Sequence, residues 1–213
     1  MASIDAIDFI RTNLPLAAVP GVPEIELHKA SPSSGLGRLA AQDAGFGSPY
    51  WAYYWAGGLA LARYILDHPE IVAGRRVLDL GAGSGLVAIA AAKAGAAAVI
   101  AAEVDPHAVA ALGLNAAHNE VAVSVVHADL TAGAPPAIDV VLVGDLFYEL
   151  DLAERVTAFL DRCIAHGAHI LVGDPWRAWL PRARLRLLAE YEVAETDSSA
   201  KPSAVFAFEA KPA

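Results

Sequence analysis

A short glycine-rich segment at residues 77–85 restricts the possible folds of this chain more than any other feature. Its sequence is V-L-D-L-G-A-G-S-G, in which residues typical of a buried strand are followed by glycines at alternate positions. An apolar stretch with the composition of a helix follows at 86–94. Because glycine accepts positive φ and lets a ligand approach the backbone, this unit predicts a cradle for a nucleotide-type cofactor. The G-x-G-x-G spacing differs from the G-x-G-x-x-G of dinucleotide sites.

A second strand-like run, at 99–105, contains an acid where such a unit binds ribose. Glu103 lies 22 residues after Gly81, and a carboxylate there can accept hydrogen bonds from both ribose hydroxyls. Two simpler interpretations stay open: the glycines form a tight turn without a ligand, and Glu103 is a solvated acid. The order of strand, glycines, helix, strand and terminal acid favours a cofactor site.

The composition indicates one compact domain and excludes several classes of protein. The chain has 213 residues, 56 % of them hydrophobic, which suits helices packed closely on a sheet. The net charge of −9 disfavours a nucleic-acid substrate. The longest apolar stretch, 85–104, is interrupted by Lys93 and Glu103 and divides into a helix and a strand, so we expect no membrane association. The seven histidines lack the spacing of a metal site.

The cysteine content and the N-terminal sequence both favour a cytoplasmic location. Cys163 is the single cysteine, which excludes an internal disulfide and fits a reducing compartment. We expect it to be a small apolar core residue in a helix. The first residues have neither the pattern of a secretory signal nor that of a mitochondrial transit peptide.

From Arg76 onward, strand-like and helical segments alternate, which predicts a mostly parallel sheet covered by helices on both faces. The last two strand-like runs have a connection too short for a crossover, so they predict an antiparallel hairpin. We therefore expect an α/β three-layer sandwich. Strands are predicted near 76–80, 99–103, 121–127, 137–144, 169–173, 191–196 and 204–209, and helices near 85–93, 106–117, 152–165 and 181–189. On the last helix, Arg182 and Arg186 would share a face that is either solvated or docks an acidic protein surface.

The first 48 residues are expected to form a helical and loop cap on the main domain, residues 49–213. In chain order, the expected elements are a helix capped by Ser3 and ending near Asn13, a proline-rich break at 14–23, a strand at 24–29 and a loop at 31–47. An aromatic segment at 49–58 precedes a helix at 59–67. The role of its Trp51, Tyr53 and Tyr54 stays open between core packing and ligand stacking.

Three features together resemble a class I, seven-stranded S-adenosylmethionine-dependent methyltransferase. They are the run D-L-G-A-G-S-G at 79–85, the acid Glu103 and the run A-D-L at 128–130. The resemblance implies the class I methyltransferase fold and S-adenosylmethionine as the cofactor. The glycine spacing and the terminal hairpin disfavour an NAD-dependent dehydrogenase.

Two further segments narrow the resemblance to protein lysine methyltransferases. Residues 49–58 resemble the motif that precedes the domain in that group, and D-L-F-Y at 145–148 matches its D/E-x-x-Y/F motif. With G-D-P at 173–175, the run at 144–149 is most similar to the electron transfer flavoprotein β-subunit lysine methyltransferases and their bacterial homologues. Ala56 departs from the pattern, since many relatives are expected to carry proline there.

The resemblance implies methyl transfer from S-adenosylmethionine to a lysine of the electron transfer flavoprotein β subunit. We expect a monomer that binds neither nucleic acid nor membrane. Two alternatives stay open: a lysine methyltransferase acting on a ribosomal protein, and a non-catalytic cofactor-binding subunit that stabilises a partner. The first is disfavoured because about seventy residues leave little room for a separate recognition domain before the glycine-rich segment.

The resemblance assigns the cofactor to residues at the carboxyl ends of the predicted strands. The backbone at Gly81, Ala82 and Gly83 would approach the methionine and ribose parts, Asp79 would hold the ammonium group and Glu103 the ribose hydroxyls. The residues expected to bind the cofactor are Trp55, Gly57, Asp79, Gly81, Ala82, Gly83, Glu103, Asp129, Leu130, Asp145 and Phe147.

Several of these assignments have specific roles or a simpler alternative. Asp129 would accept from the adenine amino group and the Leu130 amide would donate to the ring; the simpler alternative is that Asp129 is an ordinary turn residue. Trp55 and Gly57 resemble the lid over the methionine end in related enzymes.

Asp145, Tyr148 and Glu149 are the predicted catalytic residues. Asp145 ends the central strand and is expected to grip and aim the substrate ammonium. A lysine with a pKa near 10.4 costs about 4–5 kcal/mol to deprotonate at pH 7, and a bare carboxylate would raise that cost. Desolvation by Phe147 and Tyr148 would lower it, with Glu149 passing the proton to water. The alternative is that the segment 145–149 is only a helix N-cap.

Overall fold

A computed structural model of the chain describes residues 5–42, 45–193 and 200–211. Its helices are α1 (Ala6–Asn13), α2 (Leu36–Gln42), α3 (Ala56–Asp67), α4 (Leu86–Lys93), α5 (Pro106–His118) and α6 (Leu150–Ala165). Its strands are β1 (Leu16–Val19), β2 (Val22–His28), β3 (Arg76–Leu80), β4 (Ala98–Glu103), β5 (Ser124–His127), β6 (Val140–Gly144), β7 (His169–Asp174), β8 (Leu185–Val193) and β9 (Lys201–Phe208).

The main sheet has seven strands in the order β5-β4-β3-β6-β7-β9-β8. The five strands β3 to β7 are parallel, and β9 lies antiparallel to both β7 and β8. The predicted mostly parallel seven-stranded sheet with a terminal antiparallel hairpin is therefore confirmed. The strand order reverses next to β3, so a crevice opens above the carboxyl ends of β3 and β6, where open α/β sheets bind ligands.

Both faces of the sheet are buried, which explains why its central strands are apolar throughout. In β6, Val141 and Val143 pack with α6 on one face, whereas Val140 and Leu142 pack with α3 and α4 on the other. This alternation follows from the two-residue repeat of a strand. Cys163 is buried in the core on the α6 side, as predicted. Within the described residues, no helix is long and apolar enough to cross a membrane.

The predicted helix at 181–189 is wrong, because residues from Leu185 onward form strand β8. Its arginine, leucine and alanine residues favour helix, but pairing with β9 stabilises the extended form. Arg182 and Arg186 consequently share no helical face. The Arg182 guanidinium lies over the ring of Trp176, and Arg186 pairs with Glu209.

The N-terminal segment is more regular than its sequence suggests. The predicted break at 14–23 contains strand β1, which forms an antiparallel hairpin with β2, and the predicted loop at 31–47 contains α2. The first helix is capped by Asp5, whose side chain accepts from the amide of Ile7; Ser3 lies outside the described residues. The hairpin packs on α3 and α4, because Ile25 and Leu27 are buried in the same cluster as Leu59 and other residues of those helices.

Candidate active site

A cavity of about 640 Å³ opens at the carboxyl ends of β3, β4 and β6. The residues predicted to bind cofactor or to act in catalysis converge on it with few exceptions. Those that line the cavity are Trp55, Asp79, Gly81, Ala82, Gly83, Glu103, Asp129, Leu130, Asp145, Tyr148 and Glu149. Gly57 and Phe147 do not line it.

The glycine-rich turn forms one wall of the cavity. Gly81, Gly83 and Gly85 all have positive φ, of 70°, 53° and 87°. A Cβ atom at Gly85 would lie 2.9 Å from Cγ of Leu112, so glycine also lets the start of α4 approach α5. At Gly83, by contrast, the nearest atom to such a Cβ is 4.0 Å away, in the ring of Tyr50. The backbone at Gly83 is therefore open to a ligand.

Glu103 is a buried and ordered carboxylate rather than a solvated strand-end acid. It is 3 % exposed. Its Oε1 accepts hydrogen bonds from the Tyr50 hydroxyl at 2.7 Å and from the amides of Val104 and Asp105 at 2.6 and 3.1 Å. Its Oε2 accepts from the amide of Gly83 at 2.8 Å. The carboxylate is thus fixed beside the glycine turn as an acceptor for a ligand's hydroxyl groups.

Tyr50 is a site residue that the sequence analysis missed. It lies in the aromatic segment, 53 residues before Glu103, and the pattern of that segment gives no sign of which ring would reach the cavity. Burial raises the pKa of the Tyr50 hydroxyl, and the negative charge of Glu103 raises it further. The hydroxyl therefore stays protonated and acts as a donor to Glu103.

Asp79 ends β3 beneath the glycine turn and is almost fully buried. Its Oδ2 accepts a hydrogen bond from the amide of Ala88 at 2.9 Å. Burial raises the pKa of the Asp79 carboxyl to about 7, although the Ala88 hydrogen bond opposes the rise. The negative charge of Glu103 contributes to the same shift. A cation bound next to Asp79 would stabilise its ionised form.

Asp129 has the turn role that was its simpler interpretation, and it also lines the cavity. It caps a short 3-10 turn, Leu130–Ala132, by accepting from the amide and hydroxyl of Thr131 at 2.8 and 2.6 Å. Arg155 binds its second oxygen at 2.6 Å. The Thr131 hydroxyl and Arg155 both lower the pKa of the Asp129 carboxyl. Asp129 is therefore an ionised acceptor next to Leu130 at the cavity edge.

Asp145 is held at the end of the central strand by contacts on both of its oxygens. Its Oδ2 accepts from the amide of Gly58 at 2.6 Å, and its Oδ1 accepts from the guanidinium of Arg177. The alternative of a helix N-cap holds for one residue of the segment 145–149, since Glu149 is the N-cap of α6, without a side-chain capping hydrogen bond; Asp145 itself is not the cap. The expectation that Asp145 grips and aims a substrate ammonium stays a prediction; the structure adds that a cation of the protein, Arg177, already binds Oδ1.

Arg177 is the second residue that the sequence analysis missed. It follows the run G-D-P at 173–175, whose similarity to other proteins could have drawn attention to it. Its guanidinium also binds Asp174 at 3.2 Å, and its amide donates to Asp174 at 2.7 Å. Burial raises the pKa of the Asp145 carboxyl, while the charge of Arg177 opposes the rise.

Gly57 and Phe147 support the site from outside the cavity. Phe147 is fully buried in the core on the α6 face, so it cannot desolvate a substrate as expected. Gly57 lies in the first turn of α3, where a Cβ atom would be 2.2 Å from the carbonyl oxygen of Gly173. Its small size lets α3 pack on β7 and brings the neighbouring amide of Gly58 to Asp145.

The aromatic segment contributes to both core and cavity: Trp51 and Tyr54 belong to core clusters and also line the cavity. Trp51 and Tyr54 are buried, whereas Tyr53 and Trp55 are exposed at the mouth together with Tyr148. The indole Nε1 of Trp55 donates to the carbonyl of Tyr50 at 2.9 Å, which fixes the ring in place. The opening of the cavity is therefore bordered by aromatic side chains.

Comparison with known proteins gives sequence relatives over most of the chain. The electron transfer flavoprotein beta subunit lysine methyltransferase of Danio rerio is 38 % identical over 200 residues, covering 89 % of this chain and 78 % of its own length. That of Xenopus laevis is 39 % identical over 194 residues, covering 88 % and 79 %. The family profile of ribosomal protein L11 methyltransferase (PrmA) matches residues 61–166.

Solved structures share the fold at lower sequence identity. A ribosomal protein L11 methylase from Lactobacillus delbrueckii superposes with a TM-score of 0.52 at 19 % identity, covering 74 % of this chain and 81 % of its own. A 16S rRNA methyltransferase of T. thermophilus, solved in complex with AdoMet and guanosine, gives 0.55 at 23 %, covering 74 % and 45 %. These similarities concern the architecture of the sheet and its helices.

Proposed function

The chain belongs to the family of electron transfer flavoprotein beta subunit lysine methyltransferases, and from this premise we propose that it methylates a lysine of the electron transfer flavoprotein β subunit. The observation that supports the proposal best is that a cofactor cradle and an anchored carboxylate line the same cavity. The cradle consists of the glycine turn, Asp79 and Glu103. The carboxylate is Asp145.

The cradle fits S-adenosylmethionine, which would supply the methyl group as part of a sulfonium. Glu103 would accept from the ribose hydroxyls, for which its ordered position beside Gly83 is suited. Asp79 would face the ammonium group, whose charge favours an ionised carboxylate. Leu130 and Asp129 lie at the edge where an adenine ring would rest. The whole ligand needs a cleft of several hundred Å³, which the cavity provides.

The acceptor lysine would enter through the aromatic mouth and reach Asp145. Tyr53, Trp55 and Tyr148 are between 37 % and 60 % exposed, and clustered exposed aromatic side chains are typical of protein-contact surfaces. Around the lysine stem, they would exclude water and disfavour the charged amine. Glu149, exposed next to Tyr148, is the proposed route for the released proton to solvent.

The net charge of −9 supports a protein substrate over a nucleic acid, because nucleic acids bind basic surfaces. We further propose that the protein acts as a cytoplasmic monomer. A second candidate function is methylation of a ribosomal protein. It is favoured by the profile match over 61–166 and by a ribosomal protein L11 methyltransferase of Geobacter sulfurreducens, 42 % identical over 97 residues, which covers 46 % of this chain and 31 % of the relative.

The experiment that separates these candidates offers labelled S-adenosylmethionine and three acceptors to the purified protein in parallel. The acceptors are electron transfer flavoprotein, ribosomal protein L11 and total RNA. We expect label on the flavoprotein β subunit alone. Label on L11 instead would support the second candidate, and label on RNA would contradict both. Cofactor binding without label on any acceptor would indicate a non-catalytic subunit.

A further inference from the structure

Arg177 and Asp145 form a largely buried ion pair in the lining of the cavity. Both residues line it, and their side chains are 19 % and 12 % exposed. The Nη1 of Arg177 donates to Oδ1 of Asp145 and also to Oδ2 of Asp174, which is fully buried and does not line the cavity. The guanidinium is therefore bound by two carboxylates: Asp174 on the side of the core and Asp145 on the side of the cavity.

The backbone around this pair adopts unusual conformations. Asp145 and Trp176 are two of the three described non-glycine residues with positive φ, at 62° and 64°. Strained residues of this kind cluster at functional sites, where the surrounding structure holds them. Here the strain lies at Asp145 itself and directly before Arg177, so the fold keeps the two side chains together at a cost in backbone energy.

The pair changes what an incoming lysine would meet. A lone carboxylate next to the amine would stabilise the ammonium form and oppose the proton loss that must precede transfer. A carboxylate already paired with a guanidinium offers a hydrogen-bond acceptor whose negative charge is partly compensated; Asp145 shares that compensation with Asp174, which binds the same guanidinium. The guanidinium is also a fixed positive charge near the amine, and a like charge favours the neutral form.

We infer that Arg177 is a positioning residue that holds Asp145 ionised and aimed at the acceptor, so that the amine meets a carboxylate whose charge is partly compensated instead of a bare one. This role rests on the proposed lysine methyltransferase activity. The charged groups that face Asp145 are Arg177 and, behind it, Asp174, both from the β7 end of the sheet. From α3, the amides of Gly57 and Gly58 face it.

The test compares the wild type with Arg177→Gln, Arg177→Lys and a matched control, Arg184→Gln. Arg184 is another buried arginine, paired with Asp161 at 2.5 Å, and it does not line the cavity. Carbon-13 NMR of carboxyl-labelled aspartates follows the titration of Asp145, assigned with Asp145→Asn. This measurement needs no acceptor protein, so it tests the pairing even if the proposed substrate is wrong.

We expect Arg177→Gln to move the Asp145 titration upward by more than one pH unit, since burial is then unopposed by a cation. In methyl-transfer assays its kcat should fall at least tenfold at pH 7 and recover partly at higher pH, with KM for the acceptor nearly unchanged. Arg177→Lys should restore part of both properties. Arg184→Gln should lower the melting temperature while leaving the titration and the pH profile as in the wild type.

Two results would overturn the inference. An unchanged Asp145 titration in Arg177→Gln would show that the guanidinium does not set the charge of the carboxylate. A lower KM with unchanged kcat would show that Arg177 only blocks the acceptor position and must leave before lysine binds. If the wild type transfers no methyl group but the titration still moves as expected, the proposed function fails while the role of Arg177 towards Asp145 holds.

Discussion

Carboxylates at the ends of neighbouring strands experience different environments in this site. Glu103 accepts four hydrogen bonds. Asp79 is buried beneath the glycine turn and accepts a hydrogen bond from the amide of Ala88. Asp145 has an arginine as its partner. Burial raises the pKa of the Asp79 carboxyl to about 7, so the charge of this group changes near neutral pH.

This raised pKa predicts a pH-dependent cofactor affinity. A ligand ammonium favours the ionised form, so binding releases a proton from Asp79 and affinity for S-adenosylhomocysteine should rise about tenfold from pH 6 to pH 8. Isothermal titration calorimetry over this range measures it. Asp79→Asn should remove the increase, and the difference between the two proteins cancels the titration of the ligand itself. Equal pH dependence in both would exclude Asp79 as the ammonium partner.

The raised pKa of Asp79 also determines whether its contribution to folding stability increases or decreases with pH. Since the folded-state pKa of Asp79 lies above its ordinary value, the folded protein binds the proton more tightly than the unfolded chain does. The contribution of Asp79 to stability is therefore complete at acidic pH and is lost as the pH rises through about 7.

The sequence predicted some residues of the site and missed others. Motif spacing was enough to predict that Asp79, Glu103 and Asp145 meet, because the carboxyl ends of parallel strands lie together. Their partners Tyr50 and Arg177 were not predictable, since they approach from 53 and 32 residues away and no local pattern records such contacts. Phe147 was misplaced because a strand-end motif does not say which of its side chains turns into the core.

At the scale of elements, the close packing of α3 on β7 sets the position of Asp145. The helix approaches the strand where Gly57 faces Gly173. A Cβ atom added to either glycine would clash with the backbone carbonyl oxygen of the other. That approach brings the first amides of α3 to the Asp145 carboxylate. The contact between these two elements thus acts directly on the candidate catalytic residue.

Gly57→Ala should therefore lower both stability and activity. A Cβ 2.2 Å from a backbone oxygen forces α3 away from β7, which we expect to cost about 2–3 kcal/mol of unfolding free energy. Gly113→Ala is the matched control, because Gly113 lies in α5 with open space around it. It should gain about 0.5–1 kcal/mol from helix propensity. Urea unfolding measures both, and equal effects would contradict the packing argument.

Helices and strands were predictable where burial imposes a single hydrophobic repeat on the sequence. The prediction failed where the intrinsic propensity of the residues disagrees with their strand pairing. The alternating strands and helices after Arg76 follow from apolar runs of the right length. The first part of strand β8, residues 185–189, was taken for a helix because its residues are strong helix formers, and only its pairing with β9 makes it extended. Strand β1 lies between prolines, which are also typical of loops.

For the whole molecule, the N-terminal segment and the main domain share contacts that reach the site. Asn115 on α5 is fully buried and accepts from the amide of His28 at 2.8 Å, while its own amide donates to the carbonyl of Ser84 at 2.8 Å. The hairpin β1–β2 is thereby connected to the glycine turn. A division of the chain at residue 48 into cap and catalytic domain stays a prediction.

The central claim is that one cavity both binds the cofactor and presents a lysine to Asp145. The most direct measurement is the intact mass of each electron transfer flavoprotein subunit after incubation with S-adenosylmethionine and either wild type or Asp145→Asn, with cofactor affinity measured alongside. We predict methyl increments on the β subunit with the wild type. Asp145→Asn should give none, although it binds the cofactor within a few-fold of the wild type. Undiminished methylation by Asp145→Asn, or an unmodified β subunit with the wild type, would contradict the account.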